Sequence, residues 1–400
     1  MRTIGIRHRV KRTAEGEARP TQVVIKQVDS FRSYNLDDET AELDFVCGQF
    51  PTAYRTARDG EDLSAFPPHH VKKQKKNGSD EEVVKVPAEY DGLKTGDDVA
   101  MTLGGSGDRL AYALSRRGDR IGAKVFRVPP FALKEAREKT DGGKEEDAKT
   151  LALLFDSSPK LFYEVTPRER NLIKVREEYS ARKYAQKNRI ACEQRLRQRT
   201  IDKIFLSDNG YYLEGAVGDE YDKIAENDAA YQALRHEEKE HENELKKSVH
   251  QLDIWWQIFE PIKGCGEVIA AGIISPIGNI LRFKTDAQLK KFASVHVLPD
   301  GRFNRKRRGA PNEGNPALRQ ALYLLGDQFN RHPDSPWGKK LREYKRIFRE
   351  KHPETIAENG KKKYGNAHIH KMAIWRTLTK FIEWLYREWA RIEKEKQTTG

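Results

Sequence analysis

The spacing of apolar and polar positions changes twice along this chain. From residue 1 to about 160 the pattern is short and mixed. Thr3 to Val10, Thr21 to Val28 and Ala41 to Cys47 are β-rich runs and predict strands, separated by Gly16, Pro20 and the turn-like Asn35 to Glu39. Pro67 to Glu82 is polar and proline-led, which predicts a loop. Asp98 to Leu103 and Ala123 to Val128 predict further strands, with a helix over Asp108 to Arg117 between them. Pro129-Pro130 starts another helix, Gly142-Gly143 interrupts it, and Lys144 to Phe155 resumes it.

Beyond residue 160 the period becomes helical. Residues 164–206 and 219–258 predict two long charged helices, broken at SDNGYYLEGAVG. In the second, Ile224, Tyr231, Leu245 and Leu252 keep a seven-residue spacing that Glu238 interrupts. Neither arm buries its stripe alone, so the pair predicts an antiparallel hairpin. Residues 261–326 read as a compact helical unit and 331–366 as polar. A last helix runs from about Asn366 to Glu393, with Ile374, Leu378, Phe381, Ile382 and Leu385 at helical spacing. Three domains follow: an α/β domain over 1–160, the helical hairpin over 161–258 and an α-domain over 259–400.

Composition narrows the class of partner. In 400 residues, Lys and Arg number 74 against 61 Asp and Glu, a net charge of +13, which favours a polyanion. Cys47, Cys192 and Cys265 stand far apart, offering neither metal spacing nor a disulfide framework. The N-terminus is charged where a signal peptide needs an apolar core, and no window reaches the roughly 20 apolar residues of a membrane helix. The expectation is a cytoplasmic protein, prokaryotic or phage-encoded, with no membrane partner.

The cations concentrate around glycine turns. Lys263-Gly264-Cys265-Gly266 joins two apolar helical segments, the pattern of a helix-hairpin-helix, where backbone N–H groups meet phosphate. A tight turn that only packs helices is the alternative. Arg302, Arg305, Lys306, Arg307 and Arg308 repel one another unless an anion neutralises them. Arg282 and Lys284 lie upstream. Asn312, Asn315 and Arg319 lead into the next helix. Lys361, Lys362 and Lys363 precede the last helix, and Lys371, Arg376 and Lys380 lie near one face of it. All are candidate nucleic-acid contacts. Asp141, Glu146 and Asp147 are the acidic candidates for catalysis through Mg²⁺, with Asp29 and Asp44 as further carboxylates. A solvated charge run is the competing explanation.

The C-terminal 140 residues carry Pro261/Gly264/Gly266, Arg282-Phe283, Leu298-Pro299, Arg307-Arg308-Gly309, Gly314-Asn315 with Leu318-Arg319, and His370-Lys371-Met372-Ala373. In number and order these resemble the transposases of the insertion-sequence one-ten family. The resemblance implies a RuvC-like (RNase H-like) N-domain, a helical hairpin and a C-terminal domain working with a structured RNA. The departures are equally specific. Arg7 stands where the family has a metal-binding aspartate, and Met101-Thr102 where it has a glutamate. The Lys-Thr-Asp-x-x-Asp-Ala motif survives stretched, as Lys139-Thr140-Asp141 and Asp147-Ala148. No serine lies between Pro299 and Arg307, and Ser294 stands at the usual glycine. A cation replacing a carboxylate reverses the field at a metal site by several kcal/mol at about 4 Å and an effective dielectric near 20.

The chain also resembles the TIGR-associated (Tas) proteins, relatives of these transposases and of Nop proteins. That resemblance implies a Nop-like C-terminal domain, a guide RNA and a complementary DNA target. The expectation is therefore an RNA-guided DNA-binding protein with a degenerate RuvC-like domain, no confident catalytic residue, no cofactor and no metal, acting as a homodimer. The alternatives are a Mg²⁺-dependent nuclease or recombinase and a plain RNA-binding protein.

Overall fold

Continuous burial over residues 4–6 and 23–25 builds the central sheet, as in strands covered on both faces. The computed structural model describes residues 2–10, 16–28, 30–75, 82–140, 142–208, 210, 213–298, 303, 314–356 and 362–399. Chain contacts divide it into two units, Met1–Arg170 and Asn171–Gly400.

The first unit is mixed α/β. Its elements are β1 (Thr3–Arg7), β2 (Thr21–Gln27), β3 (Ser30–Leu36), α1 (Glu39–Cys47), β4 (Phe50–Thr56), β5 (Lys72–Lys75), β6 (Glu82–Asp91), β7 (Asp98–Thr102), α2 (Asp108–Ile121), β8 (Lys124–Val128), α3 (Pro130–Thr140), α4 (Asp147–Ser157) and β9 (Tyr163–Glu164). Six strands form one mixed sheet in the order β3-β2-β1-β7-β8-β9. β1, β2 and β3 make an antiparallel meander, while β7 and β8 run parallel to β1. A second, antiparallel sheet has the order β4-β6-β5. Helix α4 lies so close on β1 that a Cβ at Gly5 would run into the Ala148 carbonyl.

Two expectations fail here. Ala41 to Cys47 is helical: the Asp38 carboxylate accepts from the Ala41 amide at 2.8 Å, Gly48 closes the end at φ +75°, and Phe45 and Val46 turn inward. The β-rich composition lost to these two caps. The polar stretch 67–82 holds a short 3-10 turn, β5 and the start of β6; exposed lysines along β5 suit an edge strand.

The second unit is helical, beginning within α5 (Pro167–Phe205) and continuing through α6 (Val217–Asn227), α7 (Ala229–His250), α8 (Glu267–Ile277), α9 (Asp286–Phe292), α10 (Pro316–Arg331), α11 (Pro336–Lys351) and α12 (Asn366–Thr399). Asp228 breaks the expected 219–258 helix by capping α7 through the Tyr231 amide at 2.7 Å. α5 and α7 run antiparallel. Glu238, the break in the seven-residue spacing, points inward and binds Arg189 at 2.5 Å and Arg182 at 3.0 Å on the other arm. The roots of the hairpin, Leu172, Val175, Leu245 and Val249, share one core with α8, α10 and α12.

Candidate nucleic-acid interface

Residues 331–366, polar by composition, hold the helix α11. Ser335 caps it through the Gly338 amide at 3.1 Å, and Pro336 opens it. Trp337, Leu341, Tyr344 and Phe348 keep helical spacing toward the core. The other positions carry Lys339, Lys340, Arg342, Lys345, Arg346, Arg349 and Lys351 against Glu343 and Glu350.

α11 and the first turn of α12 line a groove with Asn330, Lys345, Arg346, Arg349, Asn366 and His370. Lys345 Nζ donates to Asn330 Oδ1 at 2.8 Å. Arg349 donates to the Tyr364 carbonyl at 2.9 Å and to Asn366 Oδ1 at 2.6 Å. Those acceptors are neutral, so they orient the cations without cancelling their charge. Burial and then Arg342 push the Lys345 ammonium below its ordinary range. Burial and then Lys345 do the same to the His370 imidazole, against an opposing pull from Asp327. Such a site gains when an anion enters. Lys363 and Lys371 are exposed nearby in sequence.

Several sequence candidates have structural duties instead. Gly264 sits at φ +83°, and a Cβ there would lie 2.7 Å from the His332 ring and 2.9 Å from Gln328, so this turn packs α8 against α10. Gly266 opens α8 with space around it, and Lys263 is exposed, but Glu267 already places a carboxylate in that first turn. Burial pushes the Cys265 thiol up to about 12. The Arg282 guanidinium stacks between Phe283 and Phe292 and donates to the Pro276 carbonyl at 2.9 Å. Arg319 lies over Trp375 at 4.2 Å and donates to the Ser294 carbonyl. Asn315 caps α10, accepting from Ala317 and Leu318 at 3.0 Å. Lys380 pairs with Glu383 at 2.7 Å, Arg376 is half-buried, and the Lys284 side chain is exposed. Arg302, Arg305, Lys306, Arg307, Arg308, Asn312 and Lys361 lie outside the described residues, as does the Lys362 side chain.

Residues 256–342 match the model of the transposase IS116/IS110/IS902 family. No curated protein matches the chain. The matched stretch spans α8, α9, α10 and the first part of α11, so its motifs coincide with the packing just described. Gly314 sits at φ +104°, and a Cβ there would lie 2.6 Å from the Phe292 carbonyl and 2.7 Å from that of Lys291, so both the backbone and the space call for glycine. Ser294 adopts φ +55°, the left-handed region glycine favours. It is buried at 3% exposure, a poor position for a nucleophile.

The matched stretch does not reach the strand ends of the first unit. The β1/β7 register pairs Ile6 with Met101, so Arg7 and Thr102 follow at the ends of adjacent strands. The close approach of α4 at Gly5 brings Asp147 within the field of Arg7. Burial pushes the Asp147 carboxyl upward, partly opposed by Arg137, whose Nε lies 2.9 Å from Asp147 Oδ1. Burial, then Arg19, pushes Arg7 down. Arg19 lies 3.9 Å from Glu145, and Glu146 is exposed. Asp141 and Asp29 lie outside the described residues. Among the described residues, then, this strand end sets Asp147 and Glu145 against Arg7, Arg19 and Arg137.

Proposed function

We propose that this chain is an RNA-guided DNA-binding protein that shares ancestry with the transposases it matches and lacks their cleavage chemistry. The observation that carries the reading is the α11/α12 groove, where neutral acceptors orient Lys345 and Arg349 and burial lowers the Lys345 ammonium and the His370 imidazole. A phosphate backbone satisfies both conditions and is read without regard to sequence, leaving sequence choice to base pairing. The mixed sheet with β1 at its centre supports a degenerate RuvC-like first unit, and Arg7 and Arg137 beside Asp147 support the loss of metal catalysis. The Nop-like kinship of the second unit and the homodimer are parts of the same proposal. Tyr184 and Phe205, exposed on α5, support the homodimer.

A Mg²⁺-dependent recombinase is the second reading, favoured by the family match. Sequencing RNA that co-purifies with the protein separates the two. Repeat-derived RNA, with binding of complementary DNA and no Mg²⁺-dependent nicking, is the expected result. Nicking abolished by Asp147→Asn would establish the recombinase. Material free of RNA, with an RNA affinity indifferent to salt, would end both.

A further inference from the structure

Three side chains remote in sequence meet in the first unit. Asp44 lies near the end of α1, and His69 and His70 lie in the 3-10 turn Pro68–His70 before β5. His70 Nε2 is 2.8 Å from Asp44 Oδ2. His69 Nε2 is 3.1 Å from Asp44 Oδ1 and 3.2 Å from Oδ2. One ligand atom from each residue falls within 4.8 Å of the other two. Metal bonds of about 2.0–2.2 Å to imidazole nitrogen and carboxylate oxygen place neighbouring ligand atoms roughly 3–3.5 Å apart around a tetrahedral ion.

The surroundings hold these atoms in place. The His70 side chain is 2% exposed, and its ring packs on His69 at 4.2 Å and Tyr90 at 5.6 Å. The Tyr90 hydroxyl stands 3.4 Å from His70 Nδ1, the outer contact that commonly fixes a metal-binding imidazole. The His69 side chain is 47% exposed, which leaves a solvent-facing side for a fourth ligand. On the open side, the contact of the half-exposed His69 with Asp44 contributes only about 0–1 kcal/mol as an ion pair.

We propose that Asp44, His69 and His70 bind one divalent first-row transition-metal ion in a zinc-type arrangement of two histidines and a carboxylate. Both imidazoles bind through Nε2 with the proton on Nδ1, so His70 Nδ1 donates to the Tyr90 oxygen. The ion ties α1 to the segment entering β5, and so fixes the base of the β5–β6 hairpin with its exposed Lys72, Lys73 and Lys75.

The test uses the full chain, stripped with a chelator and titrated with Zn²⁺ by calorimetry and with Co²⁺ by visible absorption. One equivalent of each is expected, with a tetrahedral Co²⁺ band. His69→Gln alters an exposed residue and should leave the circular dichroism unchanged while weakening Zn²⁺ binding by more than about 100-fold, since outer partners alone account for 10–100-fold. Tyr90→Phe should weaken it about 10-fold. Zinc should also slow amide exchange across Val71–Lys75. Failure of the wild type to take up a stoichiometric ion, or His69→Gln and Asp44→Asn binding like the wild type, overturns the site.

Discussion

The strand ends of the first unit and the α11/α12 groove of the second both gather cations, yet their charges meet different fates. At the strand ends, Arg137 pairs with Asp147 and Arg19 faces Glu145. In the groove, Lys345 and Arg349 are held by an asparagine amide, a backbone carbonyl and another asparagine. The first set is closed by its own carboxylates. The second keeps its charge available. A count of cations does not separate the two; the nature of the acceptors does.

The comparison breaks if charge reversal acts alike on both. Lys345→Glu with Arg349→Glu should lower RNA affinity by more than about 100-fold at 0.15 M salt and flatten the slope of log K against log salt by about 1.5–2, read by fluorescence anisotropy. Arg7→Glu should change the same affinity by no more than about 2-fold. Gly5→Ala forces α4 away from β1 and should destabilise the first unit by about 3 kcal/mol in urea unfolding.

Arg137→Met should cost about 2 kcal/mol at pH 7, because it leaves the Asp147 carboxylate in a half-buried site without its partner. The sign with pH sharpens that test. A carboxyl raised above its unfolded value supplies stability at low pH that is lost as pH rises through the folded value. The cost of Arg137→Met should therefore shrink as pH falls from 7 toward 4, and it should not be constant.

The smallest effect belongs to His370. Its pKa is lowered while the groove is empty, and a phosphate should raise it, so binding takes up a proton. RNA affinity should rise about 3- to 10-fold between pH 7.5 and 5.5, and His370→Asn should remove that rise. The same shift lowers stability without RNA: it is complete above the ordinary histidine value and declines as pH falls through it.

Much of the frame was legible in order. The strands at Thr3, Thr21, Asp98 and Lys124 and the helices opening at Asp108, Pro130 and Pro167 carry local patterns that tertiary contacts did not override. Helix α1 was misread because the Asp38 and Gly48 caps counted for more than β-rich composition. Helix α11 was legible in Ser335-Pro336 and in the spacing of Trp337, Leu341, Tyr344 and Phe348, but its charge obscured it. Arg282, Asn315 and Arg319 read as phosphate contacts, because a one-dimensional pattern cannot show that a guanidinium stacks on Phe283 or that an amide caps α10.

By itself the sequence determined the basic balance, the change from mixed to helical periodicity and the placing of Arg7 within its first β-rich run. Those are properties of residue identity and local spacing. Only the tertiary structure decided that Arg137 neutralises Asp147, that Lys345 keeps its charge, and that Asp44 meets His69 and His70. Each depends on which groups come within a few ångströms after folding, and electrostatic compensation acts over just that distance.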